Sequence, residues 1–419
     1  MIPFRKYIAV VLLLFPGSLF AQSVEKDFPQ SFTVKISNPL KAKRQDILVV
    51  ISPEQIAQVK KQFNDKAFVV IDNGKEIPSQ FNRRDKDHAG IVFVLDQLGA
   101  SESRVITIRF HPTASIPRTY QKKTQAELSH KTGGEWKNRE YIAGTFKNVE
   151  YLRVPPEHKD HSWFIRYEGP GWESDKVGYR FYLDQRNAAD VFGKKVPEPV
   201  LQQVGLEDFE QYHHMQPWGM DVMKVGSSLG LGSIGAMLNG SAIRVEKTDS
   251  VTCRITENGN VYSSILTQYY GWKIGNKKHD VQSRISIHAG TRLTHQNLTV
   301  TNDVDSLCTG IVKDKNAKLF TSDGGPGKWG YVATWGKQSL NDDELGLVVF
   351  FNPSHAGGFA RDKFSDVIRL KPVNGKVEYY FAGAWILEQS GVKSEAEFVD
   401  YVNKVAEELA NPVTLQINR

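Results

Sequence analysis

Short runs in which apolar and polar residues alternate recur along the chain, and they predict strands. Ser31-Phe32-Thr33-Val34-Lys35-Ile36 alternates, and 46–51 reads as a buried run. The segment 67–71 stops at the turn Asp72-Asn73-Gly74, and 91–95 and 105–110 complete the set. Polar turns separate these runs, which end near Pro112, so a small N-terminal β-sandwich is predicted over 22–115. A polar link containing Pro117 follows, and the Lys-, Glu- and Gly-rich stretch 122–140 reads as loop.

The remainder, 116–419, is again mostly strand. The run 262–272 puts Tyr262, Ser264, Leu266, Gln268, Tyr270 and Trp272 on one face. The run 281–288 puts Gln282, Arg284, Ser286 and His288 on one face. The segments 292–300, 329–335, 345–351 and 377–385 continue the pattern. Long strands with a polar and aromatic face predict large sheets, one of which lines a cleft. One helix is predicted near the C-terminus. Ser394 and Glu397 form a capping box, Phe398, Tyr401, Val402, Val405 and Leu409 recur at helical spacing, and Pro412 ends the run.

The first 21 residues have a different pattern. Arg5 and Lys6 precede the apolar run 8–15, which is too short to span a bilayer, and Ser18-Leu19-Phe20-Ala21 offers a small residue for cleavage. This predicts a signal peptide over 1–21 with no lipid-anchoring Cys, hence an exported and, in a Gram-negative cell, periplasmic protein. No later segment is apolar enough to predict a membrane span. The formal charge of +6 falls to +4 without Arg5 and Lys6, because residues 1–21 hold no acid. That excess suits an anionic small substrate, and with no dense Lys/Arg run nucleic acid is not expected. Cys253 and Cys308 are the two cysteines. Export permits a disulfide between them, and two free buried thiols are the alternative.

Two segments combine aromatic, charged and turn residues in the way a sugar site requires. An aromatic ring covers the apolar face of a pyranose, and charged groups bond its hydroxyls or carboxylate. The first runs from Tyr167-Glu168-Gly169-Pro170-Gly171-Trp172-Glu173-Ser174-Asp175-Lys176 to Arg186-Asn187; the second is Tyr212-His213-His214-Met215-Gln216-Pro217-Trp218-Gly219-Met220-Asp221. If 161–168 and 176–184 are paired strands, Ser162, Phe164, Arg166 and Glu168 share one face with Lys176, Gly178, Arg180, Tyr182 and Asp184. That face reads as a wet cleft in which Arg166 and Arg180 grip a carboxylate. A solvated sheet face with cross-strand ion pairs is the bland alternative. His213 and His214 are candidate acid or base groups, with a packing role as the alternative. His288 and His295 lie on adjacent predicted strands, where a metal site would need a third ligand. No ligand spacing supplies one, so neither metal nor cofactor is expected. The glycine-dense stretch Gly226 to Gly235 has no Gly-Lys-Ser/Thr ending and no following helix, and it reads as turns and close backbone packing.

These two segments, together with Asp184-Gln185-Arg186-Asn187, Phe192-Gly193-Lys194-Lys195, Lys247-Thr248-Asp249-Ser250, Tyr270-Gly271-Trp272-Lys273, Cys308-Thr309-Gly310-Ile311-Val312 and Ala333-Thr334-Trp335-Gly336-Lys337-Gln338, resemble a bacterial family labelled domain of unknown function 4861. The resemblance covers nearly the whole chain after residue 21 and is densest over 140–390. It implies an all-β fold in which the N-terminal sandwich precedes a galactose-mutarotase-like supersandwich. It also implies an exported enzyme of polysaccharide-degrading bacteria, a carbon–oxygen lyase of ulvan breakdown. Such a dehydratase removes water across C-4 and C-5 of a terminal uronic acid in an anionic oligosaccharide.

For that reaction the carboxylate needs a cation, the C-5 proton a base and the departing hydroxyl an acid. The expected set is Arg166 and Arg180 on the carboxylate, His213 or His214 as base, and Tyr212 or Tyr179 as acid, although Tyr179 falls on the face read as core. Trp172 and Trp218 would stack on sugar rings, with Glu173, Lys176, Arg186 and Lys224 as further substrate contacts. No protein partner is expected. The alternatives are a non-catalytic periplasmic glycan-binding protein and a polysaccharide lyase or glycoside hydrolase. For the hydrolase, Glu168, Glu173, Asp175 and Asp221 are the available carboxylates.

Overall fold

A strand that alternates apolar and polar residues must hide one face, and two such sheets do so against each other. In the computed structural model, which describes residues 24–418 except 302, 303 and 305, the first sheets form the expected sandwich. One contains Gln30–Ser37, Ser103–Phe110, Phe68–Asp72 and Lys75–Ile77; the other contains Arg44–Ile51, Gly90–Leu98 and Ser79–Asn82. Phe32, Val34, Val49, Phe93, Ile106 and Ile108 fill the space between them. The final strand, Thr414–Asn418, pairs with Gln30–Ser37, setting Val34 opposite Ile417. The first unit is therefore closed by a segment that the division at 115/116 assigned to the second. A short helix, Pro53–Val59, adds to the single helix predicted; Ser52 and Gln55 cap it reciprocally.

The second unit is the expected supersandwich. A nine-stranded antiparallel sheet runs from Tyr151–Arg153 through Ser250–Asn258, Tyr262–Ile274, Lys277–His288, Thr294–Val300, Lys376–Trp385, Leu345–Phe351 and Gly330–Gly336 to Ala317–Ser322. One face packs on two five-stranded sheets, with Trp172, Tyr179, Trp272, Ile285, Tyr379 and Phe381 in the shared core. The other face is covered at its two ends. Helix Glu395–Ala410 lays Phe398, Val402 and Val405 against Trp335, Phe350 and Ala382. The N-terminal sandwich lays Leu48, Val50 and Val92 against Val261, Tyr262 and Ala289. Polar side chains of the sheet face the gap between these covers.

Several local readings change in three dimensions. Only half of the predicted capping box forms: Ser394 accepts from the Glu397 amide at 3.2 Å, while the Glu397 carboxylate accepts from the Lys393 amide at 2.8 Å. The stretch 122–140 is not loop. Thr124–Glu127 joins a core sheet, and Ser129–Lys137 pairs with Glu140–Asn148. Packing recruits that hairpin: Trp136 and Tyr141 sit on Phe164, and the Tyr141 amide donates to Ser162 at 2.8 Å. Nor is 161–168 a strand. Tyr167 and Glu168 take φ of 36° and 71°, values that turn the chain and that L-residues rarely adopt. Val177–Phe181 pairs instead with Gly171–Ser174 and Ala189–Lys194.

Cys253 and Cys308 are buried free thiols. Among the described residues no helix is long and apolar enough to cross a membrane. The expected signal peptide, 1–21, lies outside the described residues.

Candidate active site in the cleft between the two units

Strand register brings the polar face together. Tyr262 stands opposite His288, Leu266 opposite Arg284, and Ser264 opposite Ser286. One strand further on, His295 is opposite Ser286 and Asn297 opposite Arg284; beyond them Tyr380 is opposite His295. Because side chains alternate, Ser283, Ile285 and Ile287 enter the core while Arg284, Ser286 and His288 face the gap. The first unit supplies the facing wall. Its loop between Ser79–Asn82 and Gly90–Leu98 carries Asp85, Asp87 and His88. The loop is anchored on the second unit, where one Glu257 carboxylate oxygen accepts from the amides of Arg83 at 2.8 Å and Arg84 at 2.7 Å. The cleft has a volume of about 500 Å³ and is lined by His88, Tyr262, His288, His295 and Tyr380 among others, a size that suits a small ligand.

The groups in this cleft are electrostatically unusual. Burial, and then the neighbouring His295, push the His88 imidazole down to about 4. Burial alone pushes His288 down to about 4. Both rings are therefore neutral near pH 7. His288 directs Nδ1 to the Ala289 carbonyl at 2.9 Å, and His295 directs Nε2 to Glu378 at 3.1 Å while stacking on Tyr380 at 4.4 Å. His288 thereby spends its ring N–H and keeps a lone pair on Nε2. The Tyr262 hydroxyl donates to Asp85 at 2.6 Å. Burial would raise Asp85, but His88, that hydroxyl and Arg284 outweigh it and hold the carboxylate low.

Arg284 stands next to the cleft, beside Asp85 and Asp87, and is not part of its lining. It is 6% exposed, its Nη1 lies 3.7 Å from Asp85 and its Nε 3.1 Å from Asp87. Neither nitrogen makes a hydrogen bond. The guanidinium is thus flanked by two carboxylates while its Nε and Nη1 hydrogens stay outside any hydrogen bond.

The family model of a domain of unknown function (DUF4861) matches residues 36–415. The chain belongs to the DUF4861 family. No curated protein matches it in sequence. Among solved structures it is similar to a glycosyl hydrolase family 38 protein from Enterococcus faecalis, with TM-score 0.46 and 10% identity over 93% of this chain and 47% of that one. An alpha-mannosidase from Enterococcus faecalis V583 gives TM-score 0.45 and 9% identity over 93% of this chain and 46% of that one. The DUF4861 chain thus spans about half the length of these structures.

The two segments that carry the family resemblance build a buried charge network on the outer side of a five-stranded sheet. The face read as a wet cleft is roofed by 195–218, so Arg166 and Arg180 are each 2% exposed. Arg166 pairs with Glu127 and donates to the Gln202 carbonyl at 2.7 Å. Arg180 bonds Asp190 at 2.9 Å, Asp221 at 2.6 Å and the Tyr212 hydroxyl at 2.9 Å. Its N–H groups are committed inside the protein. Burial, with Asp221 close by, pushes Asp190 up to about 7.

The other expected site residues are distributed around this network. Tyr179 lies in the core, donating to the Arg292 carbonyl at 2.5 Å. Tyr212 is buried. His213 is half-buried with Nε2 3.6 Å from Asp221, whereas His214 is exposed. Trp172 is core rather than rim: it is 1% exposed and its Nε1 donates to Thr294 at 2.8 Å, which leaves no ring face for a sugar. Glu173 is buried on Lys194 at 2.7 Å. Arg186 bridges Glu168 and Asp160, each at 2.7 Å. Trp218 packs edge-on to Phe192, Lys176 is half-buried, and Lys224 pairs with Asp342 at the surface. Asp160, His161 and Glu168 are the one trio among the described residues whose potential metal-ligand atoms lie within 4.8 Å of one another. The Arg186 guanidinium already occupies that position as the cation.

His88, Asp85 and Asp87 escaped the sequence reading because they come from the other unit. Arg284, His288 and Tyr262 carried a signal, since alternation put them on polar faces of long strands.

Proposed function

We propose that the cleft binds the terminal uronic acid of an anionic oligosaccharide and that the protein is a carbohydrate-active dehydratase removing water across C-4 and C-5. The observation that carries this reading is the Arg284 guanidinium, whose Nε and Nη1 make no hydrogen bond, close to the neutral imidazole of His88. Arg284 takes the substrate carboxylate and offsets the charge that develops when C-5 loses its proton. His88 accepts that proton. The C-4–oxygen bond then breaks, the C-4=C-5 double bond forms, and the imidazolium passes its proton to the departing hydroxyl, which leaves as water. Export, expected from residues 1–21, suits such a substrate.

Incubation with oligosaccharides ending in a non-reducing uronic acid, followed by mass spectrometry and ultraviolet absorbance, tests the reading. Loss of one water with a new conjugated double bond is expected. Shorter oligomers would replace it with a hydrolase or lyase, and binding without any product would replace it with a glycan-binding role.

A second reading keeps the chemistry at His213. It is favoured by backbone strain: His161, Trp163, Tyr167 and Glu168 have φ of 58°, 50°, 36° and 71°, and such strain gathers at functional sites. Loss of turnover in His213→Ala with full turnover in His88→Ala would select it.

A further inference from the structure

We propose that Asp85 is a positioning residue that acts through Tyr262 to fix which ring nitrogen of His88 is free to take a proton. This deepens the cleft reading and rests on it for the role of His88. The argument follows the hydrogen bonds. Asp85 Oδ1 accepts from the Asp87 amide at 3.0 Å, so the other oxygen, Oδ2, is left for Tyr262. The Tyr262 hydroxyl donates to Oδ2 at 2.6 Å. Its single proton is then committed, and the phenol oxygen can only accept from His88 Nδ1, which lies 2.9 Å away. His88 is therefore the Nδ1–H tautomer, and Nε2 carries the lone pair. The chain's first unit supplies both ends of this relay and the second unit its middle, so docking of the units sets the tautomer.

Asp85→Asn reverses the relay at nearly constant shape. The Asp87 amide still needs an acceptor, which holds the new carboxamide oxygen at the Oδ1 position and places the NH₂ at Tyr262. Tyr262 must then accept from that NH₂ and donate to His88, which moves the ring proton to Nε2.

Nitrogen-15 NMR of histidine-labelled free protein reads this directly, with His88→Gln identifying the signal. The expected result is an Nδ1–H ring at residue 88 in the wild type and an Nε2–H ring in Asp85→Asn. Tyr262→Phe, which keeps Asp85 but breaks the relay, is expected to give a mixture. An Nε2–H ring in the wild type, or the same tautomer in wild type and Asp85→Asn, would overturn the proposal. In turnover, Asp85→Asn is expected to lower kcat about 100-fold with KM unchanged, and unchanged kcat would also overturn it. The NMR arm uses no substrate, so a failed dehydratase assay leaves it standing.

Discussion

The hydroxyl of Tyr262 lies 2.9 Å from Nδ1 of His88, and the two residues belong to different structural units. The N-terminal sandwich is thus part of the site and supplies the ring that the proposed chemistry uses. Replacing His88 by Ala is expected to lower turnover by about 10²–10⁴-fold with an unchanged far-ultraviolet circular dichroism spectrum. Initial rates from the absorbance of the unsaturated product check this, and a wild-type rate would refute the assignment.

Arg284 is expected to read the substrate's charge. Arg284→Met should reduce kcat by about 10²–10³-fold and reduce the preference for a uronic acid end over the corresponding neutral sugar. Competition between the two oligosaccharides, followed by mass spectrometry, measures that preference. An undiminished preference would place the carboxylate elsewhere.

Arg180 is expected to matter for stability. Arg180→Met leaves Asp190 and Asp221 buried without their cation, which should cost about 3–5 kcal/mol. Urea unfolding gives the value. Wild-type stability with lost activity would instead favour the expectation that Arg180 grips substrate.

Histidine burial makes an acid-side prediction. His288 is held at about 4 in the folded protein, below its unfolded value of about 6.5. Between those pH values the unfolded chain binds the extra proton, so this group's contribution to stability is present above about 6.5 and is lost as pH falls towards 4. Glu127 and Asp190, each pushed up to about 7 by burial, act in the opposite direction over an overlapping range. A direct comparison isolates the histidine: His288→Asn, which can still donate to Ala289, should lose less stability than the wild type on going from pH 6.5 to 4. Parallel melting curves of the two proteins, if observed, would exclude the effect.

Much of the architecture was legible in the order of residues. Alternation over 281–288 placed Arg284, Ser286 and His288 on one polar face, and helical spacing from Phe398 to Leu409 placed the helix. Both follow from backbone geometry, which acts over a few residues. The glycine-rich segment after Tyr167 was legible as unusual but not as buried. Alternation tells which side chains share a face and is silent on what covers that face; the covering segment, 195–218, is irregular and has no period to read. His88 and Tyr262 meet only because the first sandwich docks on one end of the nine-stranded sheet while the helix takes the other. The sequence alone therefore determined the long alternating strands, their faces and the class of fold, because those depend on local periodicity. Tertiary structure alone decided which polar face stayed open and which was sealed, because that depends on contacts between segments far apart in the chain.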